Sequence, residues 1–105
     1  MKFNVTLSAE AERDVKEAYD YISEHGPASP DQWKAGLSAK LATLESFPER
    51  CGVAPETRFR SFPIYQTFYA NFRILFVVEG SNVFVITVRH GARKRMTRDE
   101  VDERV

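Results

Sequence analysis

Phe3, Val5 and Leu7 alternate with Asn4 and Thr6, a period of two that predicts a strand with one apolar side. The period then changes. Ala11, Val15, Ala18, Tyr19 and Ile22 recur at helical spacing behind Ser8, a good N-cap, with Glu10 and Glu12 placed in the first turn to meet the positive end of the helix dipole. This helix is expected to stop at Gly26, with Pro27 sealing its end. A second helix is predicted to open at Ser29-Pro30, with Gln32 three residues after the cap, and to run along Trp33, Leu37, Leu41 and Leu44 until Phe47-Pro48. The connection is short, so the two helices should form an antiparallel hairpin.

From Glu49 to about Thr57 the pattern lapses, and from Arg58 the signal turns to β. Residues 68–78, FYANFRILFVV, read as one strand, with Phe72, Ile74, Phe76 and Val78 on one face and Asn71, Arg73, Leu75 and Val77 on the other. Glu79-Gly80-Ser81-Asn82 is a turn. Residues 83–90 form the next strand, with Phe84, Ile86, Val88 and His90 expected on one face and Val83, Val85, Thr87 and Arg89 on the other. Residues 97–104 read as a short acidic helix or a tail. The order β-α-α-β-β-β predicts an α+β fold, a helical hairpin packed on a small, mainly antiparallel sheet. The opposite sheet face is expected to carry arginines and to lie open. The 105 residues are read as one domain, 1–105.

Charge sharpens this picture. The chain is neutral overall, but residues 56–98 hold eight Lys/Arg against Glu56 and Glu79, while residues 99–105 hold Asp99, Glu100, Asp102 and Glu103 against Arg104. Such a basic stretch suggests an anionic partner, with Arg58, Arg60, Arg89 and Arg93 as candidate contacts. Solvated arginines on exposed strands are the plainer alternative. The acidic residues 99–105 are also candidates to fold back on the arginine face. Cys51 is alone, and with His25 and His90 it does not make a metal site, so no metal and no cofactor are expected. No apolar run approaches membrane-spanning length, and MKFNVTLSAEAERD lacks a signal-peptide core. A reduced, cytoplasmic protein with no membrane partner is the expectation.

The sequence has no phosphate loop, nucleophile elbow or paired metal ligands. Arg73 and His90 are the residues with catalytic potential. RNA cleavage by 2′-hydroxyl attack needs an acid or base, which His90 offers, and a cation at the phosphate, which Arg73 offers. Against this, Arg73 also suits a structural ion pair with Glu79 or the acidic tail, and His90 a capped strand end. Phe68, Tyr69 and Phe72 suit base stacking or, better, core packing. Trp33 reads as core of the helical hairpin.

Taken in order, V-T-L-S-A-E-A-E-R-D from Val5, Tyr19-Asp20-Tyr21-Ile22, the Trp33 to Leu44-x-x-Phe47-Pro48 pattern, Arg60-Ser61-Phe62 and F-R-I-L-F-V-V-E-G-S-N-V-F-V-I-T-V-R-H-G-A-R at residues 72–93 resemble the RelE/ParE superfamily of type II toxins. The resemblance implies a growth-inhibiting toxin, as in plasmid stabilisation, neutralised by a cognate antitoxin. RelE-like members cut mRNA on the ribosome without a metal; ParE-like members inhibit DNA gyrase and are not nucleases. In the RelE-like case the resemblance makes Arg73 and His90 catalytic. The chain has no lysine between Lys40 and Lys94 and no tyrosine after Tyr69, which departs from the RelE-like pattern. The helical hairpin and the V-R-H-G-A-R ending are similar to the ParE-like branch. Gyrase inhibition is therefore the favoured expectation, with a ribosome-dependent mRNA endonuclease as the alternative.

Overall fold

The computed structural model describes residues 2–26 and 29–105. The expected role of Pro27 lies outside them. The alternating N-terminal segment forms β1 (Asn4–Leu7), and the two capped segments form α1 (Ala9–His25) and α2 (Pro30–Ala42). Ser8 and Ser29 act as N-caps as their positions demand, their hydroxyls accepting from the N–H groups of Ala11 and Gln32. The second helix ends earlier than expected. Its last turn tightens into a 3₁₀ turn at Thr43–Glu45, which still delivers Leu44 to the core. Then follow β2 (Gly52–Val53), a 3₁₀ turn at Pro55–Phe59, β3 (Tyr65–Tyr69), β4 (Phe72–Glu79), β5 (Asn82–His90) and α3 (Arg98–Arg104).

The five strands lie in the order β1-β5-β4-β3-β2. Among the described residues β1 and β5 pair in parallel and the other three pairings are antiparallel. The hairpin α1/α2 covers one face, where Trp33, Leu37 and Leu44 meet Ile74, Phe76, Val83, Val85 and Val88. Full burial of each large side chain here contributes about 1.5–3 kcal/mol. The other face is also covered. Val101 of α3 and Ala54, beside the Pro55–Phe59 turn, pack with Ile64, Leu75, Ile86 and Met96 in a second, smaller core.

This two-sided cover corrects the expectation that the arginine face lies open. Three further departures have local causes. Residues 68–78 are not one strand, because Ala70 takes a left-handed conformation (φ 51°) and turns the chain between β3 and β4. An alanine gives no glycine signal, and aromatics on either side mask the turn. Arg58 and Arg60 are not on a strand. Pro55 starts a 3₁₀ turn, and the Thr57 hydroxyl, accepting from Ile64 N–H and donating to Ile64 C=O, closes it into a loop. Finally, Leu75 pairs with Thr87 but Phe76 with Val85, so Ile86 is an extra residue in β5. The bulge flips the alternation. Val83, Val85, Val88 and His90 share the α1/α2 face, while Phe84, Ile86, Thr87 and Arg89 share the other.

Candidate functional site

The start of β4 carries Arg73, its second residue, onto the α3 face, where it is 7% exposed. Its partner is neither Glu79 nor the acidic tail. Nη1 and Nη2 donate to the two carboxylate oxygens of Glu56 at 3.0 and 2.9 Å, and Nη2 also donates to Gln66 Oε1 at 2.9 Å. Glu56 is 1% exposed, and its Oε2 also accepts from Met96 N–H at 3.1 Å. Burial alone would push this carboxyl up, but the hydrogen bonds from Arg73 and Met96 and the charge of Arg73 outweigh it. The group is held below the ordinary carboxylate range.

Arg89 is committed in the same way. It donates to Glu100 Oε2 at 3.0 Å and to Lys94 C=O at 3.1 Å. Burial raises and the Arg89 hydrogen bond lowers the Glu100 carboxyl, with the second effect prevailing. Arg60 pairs with Asp102 at 2.8 Å. Arg104 pairs with Asp14 at 2.7 Å, and Asp14 Oδ2 also accepts from the Thr87 hydroxyl. The acidic C-terminal segment thus does fold back on the arginines, as a helix fixed by a Thr97/Glu100 capping box. Arg58 lies over the Phe59 ring at 5.0 Å.

His90 ends β5 on the opposite face. It is exposed, its Nδ1 accepts from Ala92 N–H at 3.1 Å, and its ring stands edge-on to Phe72 at 5.5 Å. Arg73 is opposite Arg89, and His90 is opposite Phe72. The two residues proposed from sequence as a catalytic pair therefore sit on different faces of the sheet. Arg93 stands between them, lining the cleft beside His90 and a second cleft above Arg73. That second cleft, of about 390 Å³, is walled by Gln66, Phe68, Arg93, Lys94 and Arg95. Of the aromatics, Phe72 packs on the core and Tyr69 reaches it by donating to Trp33 C=O at 3.0 Å, but Phe68 is 56% exposed, contrary to the expectation of core packing.

Sequence reasoning missed Glu56 and Gln66 and left Lys94 and Arg95 out of the candidate contacts. Nothing in the pattern around Pro55 marks Glu56 as buried, whereas the Arg93-Lys94-Arg95 run was visible. A third concavity, about 570 Å³, runs along the hairpin between α1 and α2, floored by Leu7, Val15, Leu37 and Leu41 and rimmed by charges. There the Tyr19 hydroxyl donates to Asp31 at 2.6 Å, which holds the phenol above its usual pKa. Among the described residues no three His, Cys, Asp or Glu side chains cluster as metal ligands do, and no helix is long and apolar enough to cross a membrane.

The family model for the ParE toxin of type II toxin–antitoxin systems, parDE, matches residues 5–95. A solved structure of a chromosomal ParDE system from P. aeruginosa aligns with a TM-score of 0.64 at 15% identity, over 85% of this chain and 96% of that one. The toxin–antitoxin complex RelBE2 from Mycobacterium tuberculosis aligns with a TM-score of 0.59 at 16% identity, over 86% and 99%. At these identities the two structures show a shared fold. The search of curated proteins finds no match.

Proposed function

Because the chain belongs to the ParE toxin family of type II toxin–antitoxin systems, we propose that it arrests growth by binding DNA gyrase in the cytoplasm and is silenced by a cognate antitoxin. The family match over residues 5–95 carries this reading. The geometry supports it. A nuclease of this fold needs a cation free to take the scissile phosphate and an acid or base facing the same atom. Arg73 and Arg89 are instead closed into ion pairs with Glu56 and Glu100, and His90 lies across the sheet from Arg73, so the pair read from the sequence is not assembled. Among the described residues, the cation that shares a cleft with His90 without a salt bridge of its own is Arg93. Arg58, Arg60 and Arg93 remain proposed contacts to the target or antitoxin, although Arg60 has to leave Asp102 to serve as one.

The antitoxin is the proposed partner because the two structural neighbours are described as toxin–antitoxin systems. An apolar and acidic tail that folds on binding suits both the groove between α1 and α2 and the basic cleft. The test is expression of the chain alone and as His90→Ala, following DNA supercoiling and mRNA integrity together. Relaxed or broken DNA with intact mRNA is expected, unchanged in the variant. Fragmented mRNA that is lost in His90→Ala, with supercoiling intact, replaces the gyrase reading with the mRNA endonuclease.

A further inference from the structure

Where α1 passes the turn between β3 and β4, two recesses adjoin on the α1/α2 side of the sheet. The inner one, about 210 Å³, lies against Trp33, Ile22 and Asn71. The outer one, about 380 Å³, extends to Glu17 and Arg93. Tyr21, Phe72 and His90 line both. The shared walls are therefore aromatic. The Phe72 ring lies 5.1 Å from Trp33 and 5.5 Å from His90, and Tyr21 is 62% exposed with its ring stacked on His25. Aromatic surface in a concave site suits a flat ring.

The polar groups narrow the choice. At the inner recess Trp33 is 7% exposed, and its indole Nε1–H has no hydrogen-bond partner. Buried N–H groups are seldom left so. A hydrocarbon ring cannot accept from it, whereas a ring bearing an unprotonated nitrogen can. At the outer recess Arg93 has no salt bridge among the described residues. His90 Nδ1 accepts from Ala92 N–H, so the neutral imidazole carries its proton on Nε2 and can donate. A guanidinium and an imidazole N–H on one cleft suit an anion. Of the acids there, Asp14 is held by Arg104, while Glu17 has no salt bridge and opposes an anion.

We propose that this cleft binds a purine mononucleotide. The base lies in the inner recess against Tyr21 and Phe72, with a ring nitrogen accepting from Trp33 Nε1. The phosphate sits in the outer recess on Arg93 and His90. An acceptor-bearing ring at one end and an anion at the other separate a nucleotide from an aromatic acid or a free phosphate. A purine has acceptor nitrogens on both of its rings and a large face to stack. This site is independent of the gyrase reading.

Trp33 is the chain's one tryptophan, so its indole N–H gives a single resonance. The experiment is a titration of the isotopically labelled full chain with adenosine monophosphate, compared with adenosine, phenyl phosphate and inorganic phosphate. The nucleotide is expected to move the indole resonance downfield and to shift the amides of Asn71 and Arg93. Adenosine, which lacks the anion, and phenyl phosphate, which lacks the ring nitrogen, should each bind about tenfold more weakly. Inorganic phosphate should leave the indole resonance in place. Arg93→Ala, at an exposed position, should lower nucleotide affinity to that of adenosine, and Glu17→Gln should raise it. Lys94→Ala/Arg95→Ala should change nothing, because neither residue lines this cleft. An indole resonance unmoved at saturating nucleotide overturns the proposal and leaves water as the partner of that N–H. So does phenyl phosphate binding as tightly as the nucleotide, or loss of binding in Lys94→Ala/Arg95→Ala. Binding is read on the isolated chain, so its failure leaves the gyrase reading standing, and a failed supercoiling assay leaves this site standing.

Discussion

Replacing Glu56 with alanine strips Arg73 of the carboxylate that neutralises it and Met96 N–H of its acceptor, leaving a guanidinium 7% exposed with only Gln66 beside it. Breaking a buried pair from one side costs about 3–5 kcal/mol. Domains of this size hold about 5–15 kcal/mol in all, so such a loss lowers the melting midpoint by roughly 15–20 °C. Thermal and urea unfolding of wild type, Glu56→Ala, Glu56→Gln and the double variant Glu56→Leu/Arg73→Met measure it. The glutamine keeps an acceptor but not the charge and should fall between. The double variant removes both charges and should regain much of the loss, because desolvating the pair had itself been costly. The pH dependence has a fixed sign. Glu56 titrates lower in the folded protein than in the unfolded chain, so its contribution is complete above about pH 5 and is lost as pH falls through and below about 4. Glu56→Gln should therefore flatten the acid limb of the stability curve. A Glu56→Ala cost under about 1 kcal/mol, or a double variant no more stable than Glu56→Ala, refutes the argument that the pair is desolvated and mutually dependent. The same geometry bears on toxicity assays. Arg73→Ala leaves Glu56 buried without its cation, so lost activity in that variant reports on the fold before it reports on any target.

Ala70→Gly should stabilise the protein by about 0.5–1 kcal/mol in urea unfolding, because the left-handed turn between β3 and β4 favours glycine by more than the unfolded state loses. Gly36→Ala should lower the melting midpoint, since the added Cβ would overlap the Tyr69 hydroxyl oxygen, and Tyr69→Phe should recover part of the loss. Asp31→Asn should bring the Tyr19 phenol down towards its ordinary pKa in an ultraviolet pH titration, because the carboxylate that accepts its proton is gone.

Caps and periodicity made β1, α1 and the start of α2 legible, because Ser8, Ser29 and the apolar stripes act over a turn or less. The β5 faces were not, because a bulge at Ile86 depends on how β4 and β5 register and leaves no mark in either strand alone. The turn at Ala70 was hidden by a residue that rarely takes its conformation. Arg73 was legible as unusual, an arginine within an apolar strand. Its role was not, because its partner Glu56 comes from a turn 17 residues earlier that is placed by Pro55 and Thr57 and not by any pattern. The net charge of residues 56–98 misled in the same way. Charge in sequence is counted along the chain, whereas neutralisation of Arg89 by Glu100 and of Arg60 by Asp102 happens in space.

The parallel pairing of β1 with β5 sets when this protein can exist. Asn4–Leu7 find their partners at Asn82–Val85, and Asp14 waits for Arg104. Ribosomes add about 5–20 residues per second, so for several seconds the emerging helical hairpin has no finished sheet to cover. Its apolar stripe is exposed throughout that interval, and the closing contacts are the most distant in sequence and the slowest to form. Synthesis of this chain therefore passes through an incomplete stage before there is a folded toxin to be dangerous.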